Sequence, residues 1–150
     1  MGFSTFSGPI RSGTQRYGAG RNTGLAVLAQ STPVVFGTLT GTACILPAGS
    51  QILSVSFQTT TVFSAATTVK LTIGSTDITG TITVTTVGVA TITFATTTAA
   101  LALLSNVGST DATVTYTLAG AGLTTGAGNI IVQYVQRAAD GSANPTEFQN

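Results

Sequence analysis

Between residues 23 and 136 the chain alternates apolar and polar positions in short runs, broken by turns that carry glycine or proline. This period of two predicts strands with one buried face rather than helices. In the stretch from Leu46 to Ser75, Leu53, Val55 and Phe57 fall on one face and Ser54, Ser56 and Gln58 on the other. Val69, Leu71 and Ile73 then point one way and Lys70 and Thr72 the other. Pro47 and Gly49 suit a tight turn before the first of these strands, because proline fixes φ and glycine admits left-handed conformations.

The same pattern continues on both sides. Leu25 to Gln30 and Val34 to Leu39 read as two short strands separated by a turn at Ser31-Thr32-Pro33, since proline cannot donate a ladder hydrogen bond. Ile78 to Thr85 and Val89 to Phe94 read as a hairpin across Thr86-Val87-Gly88. Their outward positions are nearly all threonine, which is β-branched and favours strands. Ala112 to Leu118 is a clean strand, with Val114, Tyr116 and Leu118 opposing Thr113, Thr115 and Thr117. Gly120 to Gly128 reads as a flexible loop. Asn129 to Gln136 closes the domain as a strand whose run Ile130, Ile131, Val132 suggests burial on both faces. Residues 96 to 105 are open to a helical turn or to a loop and strand, because Ala99 to Leu104 has good helix propensity. About eight short strands with turns between them predict an all-β chain forming a single β-sandwich, with a jelly roll preferred over an immunoglobulin-like Greek key.

The stretch LPAGSQILSVSFQTTTVFSAATTVKLTIGS resembles small structural proteins of tailed bacteriophages, of the head decoration or cement kind found in marine podoviruses. The resemblance rests on Pro47-Ala48-Gly49, the alternation from Leu53 to Phe57, Thr61-Val62-Phe63 and Leu71-Thr72-Ile73-Gly74. Weaker similarity lies in the opening FSGPIRSGT and the closing NIIVQYVQ. It implies a β-rich fold and a virion role, and it brings no active site with it.

Composition agrees with a life in an assembly. Only 6% of the residues are charged, against roughly 25% in an average soluble domain. Threonine and serine must therefore supply the polar faces, and an uncharged hydroxyl surface packs readily against protein. Sheet edges lack the charges that usually prevent stray pairing, so coverage by neighbours is expected. A symmetric homo-oligomer or a surface-bound subunit follows, with a trimer first by analogy with the resembled family.

Charge is segregated along the chain. Residues 1 to 30 hold Arg11, Arg16 and Arg21 and no acid; Lys70 and Arg137 face Asp77, Asp111, Asp140 and Glu147 in the remainder, which leaves the net charge of +1. Residues 1 to 22 are rich in Gly and Ser without a strand or helix period, which predicts an extended basic arm. Phe3, Phe6, Ile10 and Tyr17 are spaced along it as anchors, and Arg11, Arg16 and Arg21 can pair with carboxylates of a neighbouring subunit. A tail is expected from 137 to 150. Three arginines without a recognised binding motif make a nucleic-acid partner a minor expectation.

The chemistry is bounded by what is missing. The chain has no histidine and one cysteine, so Ser-His-Asp and Cys-His constellations and the usual zinc sites cannot be built. Cys44, beside Ile45 and Leu46, reads as a small buried hydrophobe. Asp77 and Asp111 sit in Ser-Thr-Asp segments that read as turns, with the side chain bonded to its own backbone. The glycines from Gly18 to Gly24 do not follow the spacing G-x-G-x-x-G and have no strand before them. Tyr17, Tyr116 and Tyr134 fit core packing or arm docking better than a sugar platform, in a chain without tryptophan. No catalytic residue, cofactor or metal is expected. No secretory signal or membrane-length apolar run is visible, so assembly in a host cytoplasm and residence in the virion are expected.

The leading expectation is a capsid decoration or cement subunit, not an enzyme, that binds the major capsid protein or other virion subunits. A tail, connector or fibre component is the alternative within a virion, and a non-viral binding module the alternative outside one.

Overall fold

The computed structural model describes residues 26–64 and 67–136. Their order is β1 (Val27–Val35), β2 (Thr40–Leu46), β3 (Gln51–Thr61), β4 (Thr68–Ile73), β5 (Thr76–Asp77), β6 (Ile82–Thr83), β7 (Gly88–Thr91), α1 (Thr98–Ser105), β8 (Ala112–Ala119) and β9 (Ala127–Val135). The described residues are all-β apart from α1, as the alternation predicts. Two antiparallel sheets run β1-β9-β3-β7 and β2-β8-β4-β5, with β6 also on β4. Their inner faces share one apolar core that includes Val55, Phe57, Leu71, Val114, Ile130 and Val132.

β5 and β6 pair with opposite ends of β4, Ile73↔Thr76 at one end and Thr68↔Thr83 at the other. They are two pieces of one interrupted edge strand. Between them Thr79 Oγ1 accepts from the Leu71 N–H at 2.9 Å, so a side chain satisfies a buried donor where the ladder is broken. Counted this way the sandwich has eight strands.

Several details depart from the sequence reading. β1 runs unbroken through Ser31-Thr32-Pro33, with Pro33 opposite Asn129. β1 is an edge strand, and a strand paired on one side only can do without an N–H. The turn comes later, at Phe36–Gly37, and Thr40–Leu46, unassigned by the pattern, forms β2. Leu53 does not join Val55 and Phe57. A register shift between Ile52 and Ser54 places Ile52 inside at 4% exposure and turns Leu53 out at 40%. One extra residue in a bulge reverses the faces of everything before it.

The expected hairpin across Thr86-Val87-Gly88 does not form. β6 pairs with β4 in one sheet and β7 with β3 in the other, so this segment crosses between sheets. Each short piece extends the open edge of a longer strand instead of pairing with the other. Alternation encodes which side chains go in, and Ile78, Val84 and Ile92 are indeed buried. It does not encode the pairing partner. β9 buries one face, with Ile130, Val132 and Tyr134 inside, while Ile131 is half-buried and Gln133 exposed. Burial on both faces holds only at the end of the strand, where Tyr134 and Val135 are both buried; at Ile131 and Gln133 the outer side stays open.

The expected loop 120–128 also contains positions set by packing. A Cβ on Gly126 would lie 2.1 Å from the Phe63 ring, and one on Gly128 would lie 2.4 Å from the Phe57 ring. Those two rings pack at 6.0 Å between centroids, tilted by 59°. The glycines make room for this aromatic pair. Residues 98–105 resolve as helix, capped by Thr97, whose Oγ1 accepts from the Ala100 N–H at 3.2 Å.

Candidate assembly surfaces

The residues assigned to partner docking, Phe3, Phe6, Ile10, Arg11, Arg16, Tyr17 and Arg21, lie outside the described residues, as does the tail 137–150. The domain nevertheless fixes where both segments attach. Val27 and Val135 are register partners on neighbouring strands, so residues before Ala26 and after Gln136 join the sandwich side by side. We call this the terminal end. The turn 47–50 lies there too, with Gly49 at φ 74° and the Ser50 N–H donating to the Pro47 carbonyl at 3.1 Å. The segment after α1 is tied onto that turn. Gly49 N–H donates to the Gly108 carbonyl at 2.8 Å and Val107 N–H to the Ser50 carbonyl at 3.0 Å.

Asp111 fastens the same turn, its Oδ1 accepting from the Ala48 N–H at 3.0 Å. Asp77 forms an ion pair with Lys70 at 3.0 Å. Neither acid makes the local turn bond expected of it; each finds a partner on a neighbouring element. Among the described residues Lys70, Asp77 and Asp111 are the only charged side chains. Ser50 Oγ is fully buried and has no hydrogen-bond partner among the described residues.

At the opposite, distal end the loops 36–39, 62–64 and 120–126 meet. Phe36 N–H donates to the Gly126 carbonyl at 3.0 Å, and Ser64 Oγ accepts from Thr124 N–H at 2.9 Å. These described loops contain no charged residue, and Phe36, Leu39 and Val62 are exposed on them.

The two outer faces follow from the registers. On the sheet β2-β8-β4 the rows Thr40–Thr117–Lys70 and Thr42–Thr115–Thr72 point outward, with Asp77 beside Thr72. On the sheet β1-β9-β3-β7 the outward rows are Ala29–Gln133–Ser54, Ser31–Ile131–Ser56–Thr91 and Pro33–Asn129–Gln58–Val89. Val27 and Val35 complete the face at the ends of β1. Val27 is 58% exposed, Val35 49% and Val89 66%. No charged residue occurs on this face.

The edges differ in protection. Gln30 Nε2 donates to the Ile45 carbonyl at 2.8 Å, and Thr32 Oγ1 donates to the Ala43 carbonyl. Both acceptors lie in β2, where the ladder to β8 shifts between Thr42 and Cys44. Side chains of β1 thus occupy carbonyls along the edge of β2, which blocks strand addition there.

Cys44 is buried, and burial pushes its thiol up to about 11. It is a core residue with the neutral thiol favoured, as its apolar neighbours suggest. Tyr116 and Tyr134 are core residues as well. Burial raises the Tyr116 hydroxyl. The Tyr116 ring lies over Gly41, its cross-strand partner, where a Cβ would be 2.9 Å from the ring. Among the described residues no group of three His, Cys, Asp or Glu side chains gathers to hold a metal ion. No described helix is long and apolar enough to cross a membrane.

Neither a protein-family model nor a curated protein sequence matches the chain. Among solved structures, it resembles a chain of the capsid asymmetric unit of cyanophage Pam1 with TM-score 0.52 at 18% identity, covering 89% of this chain and 99% of that one. It resembles a chain in the acid-stable capsid of Helicobacter pylori bacteriophage KHP30 with TM-score 0.52 at 14% identity, covering 73% of this chain and 86% of that one. At these identities the likeness is one of fold, extending over most of this chain and most of each of the two phage-capsid chains.

Proposed function

We propose that this chain is a virion structural protein, a capsid decoration or cement subunit that binds the phage head through non-covalent contacts. The observation that carries the reading is the near-complete overlap with the cyanophage Pam1 capsid chain, 89% of this chain against 99% of that one. A capsid chain that this sandwich covers to 99% suits an accessory subunit placed on a shell. The nested strand order supports a jelly roll: successive strands alternate between the two sheets except for β4, β5 and β6, which share one, and β1 and β3 both flank β9.

In this role no bond is broken. The arm 1–22 and the tail 137–150 attach at one end of the sandwich and dock on the major capsid protein or another virion subunit, with Phe3, Phe6, Ile10 and Tyr17 as apolar anchors and Arg11, Arg16 and Arg21 as pairing groups. Contacts that exist only in the assembled shell stabilise it by mass action. The expected assembly is a homo-oligomer made in the host cytoplasm.

The test is co-sedimentation of the purified protein with heads assembled from the major capsid protein. Saturable binding in fixed ratio to capsid subunits, weakened by removal of residues 1–22, supports the role and places the arm at the contact. Absence of binding by the full chain refutes it and moves the protein to a tail, connector or fibre position.

A further inference from the structure

Between the terminal and distal ends lies the broad, charge-free face of the sheet β1-β9-β3-β7. It exposes Val27, Pro33, Val35, Leu53 and Val89 around the half-buried Ile131. Strands of nine, nine, eleven and four residues, at ~3.3 Å per residue and ~4.8 Å spacing, make a face of roughly 520 Å² in plan. Its relief brings the accessible area toward the ~800 Å² per partner of a stable interface.

We infer that this face is the contact between copies of this chain, and that its occupant is the same face of a second copy. Charge decides the occupant. An ordinary protein surface carries roughly a quarter of its residues as charges, and pressing it here would bury ions with no opposite charge to neutralise them. A second copy brings no ion. The polar groups of the face, Gln58, Asn129, Gln133 and the serines, are amides and hydroxyls that both donate and accept, so they can satisfy one another across a self-contact. The face also borders β1, a nine-residue edge strand without a charge on it, which is the kind of edge that a neighbour covers. Packing here leaves the terminal end free for another partner.

The inference stands beside the proposed virion role and can fail separately from it. The experiment is light scattering on the full chain, with Val89→Lys and Val27→Lys at opposite corners of the face and Thr115→Lys on the opposite sheet as control. The expected result is an oligomer for the unaltered chain and for Thr115→Lys, and a fall to the mass of one chain in both face variants with strand circular dichroism retained. A monomeric unaltered chain, or an oligomer that survives both face substitutions, overturns the inference. Should either face variant misfold, hydrogen exchange on the unaltered chain decides. Protection of β1 and β7 amides that rises with protein concentration supports the contact; protection independent of concentration, or gained only on added heads, overturns it. A monomeric chain that still co-sediments with heads removes this interface and leaves the virion role intact.

Discussion

On the sheet β2-β8-β4 the outward positions are mostly threonine, with the exposed Ile45 opposite Thr113 and the Lys70–Asp77 ion pair, whereas on β1-β9-β3-β7 they carry valine, proline, isoleucine, serine and amides with no ion at all. Both sheets press β-branched and aromatic side chains into the same core, so the inner faces alone do not tell them apart. The difference lies in what the outside can tolerate. A threonine face keeps a hydroxyl toward water at every second residue and loses little by staying exposed. A face with exposed valines at its corners and no ion gains from being covered. The same alternation thus produces one face suited to solvent and one suited to protein.

The interiors of the two sheets also differ, and the first test is the harshest. Gly128→Ala, in β9, would place a Cβ 2.4 Å from the Phe57 ring and 2.5 Å from the Gln58 carbonyl; overpacking of this kind is expected to cost about 3 kcal/mol in denaturant unfolding. Thr115→Ala on the outside of the other sheet is expected to stay within about 0.5 kcal/mol. Equal losses at the two positions would remove the distinction between a sheet shaped by aromatic packing and one shaped by its own ladder.

The bulge in β3 is tested by a neighbouring pair. Ile52→Ala is expected to cost about 3 kcal/mol and Leu53→Ala less than about 1 kcal/mol, because only the first removes a buried side chain. The reverse order would mean that the strand keeps its simple alternation. In concentrated protein the Leu53 cost should rise if its face is covered by a second copy.

Cys44 gives the β2 sheet a pH dependence. Its thiol titrates at about 11 when folded, against 9.0 in the unconstrained group. Between these values the unfolded chain has released its proton and the folded chain has not, so stability falls as pH rises. The loss amounts to roughly 2 to 3 kcal/mol across that window, with full stability below about pH 9. Cys44→Ala should lower stability at neutral pH and flatten the alkaline decline; an unchanged decline would assign it to other groups, such as Tyr116.

The smallest effect belongs to the ion pair. Lys70→Ala is expected to cost less than about 0.5 kcal/mol, reduced further by salt, because both side chains are well exposed. A larger, salt-independent loss would show that the threonine face is buried in the assembly after all.

Much of the sandwich was legible from residue order. The strand 112–118, the buried Cys44, the turn at Pro47–Gly49 and the inward set Val55, Phe57, Val69 and Leu71 all follow from local pattern and burial. The missed elements share a cause. β2 contains Gly41, which weakens a strand signal, and only the Tyr116 ring lying over it shows why glycine is tolerated there. Gly126 and Gly128 looked like loop residues because the rings they accommodate are about seventy residues away in sequence. The docking residues assigned to the arm lie outside the described residues, while the charge-free face escaped notice because it is assembled from β1, β3, β7 and β9.

By itself, then, the sequence determined the class of fold, the scarcity of charge, the exclusion of histidine-based chemistry and which side chains face inward along most strands. These properties depend on composition or on neighbours two residues apart. The tertiary structure alone decided which strands pair, where bulges reverse a face, that both terminal segments attach at one end, and that one outer face carries no ion. Those outcomes depend on hydrogen-bond partners far apart in the chain, and a period of two contains no record of which partner a strand will find.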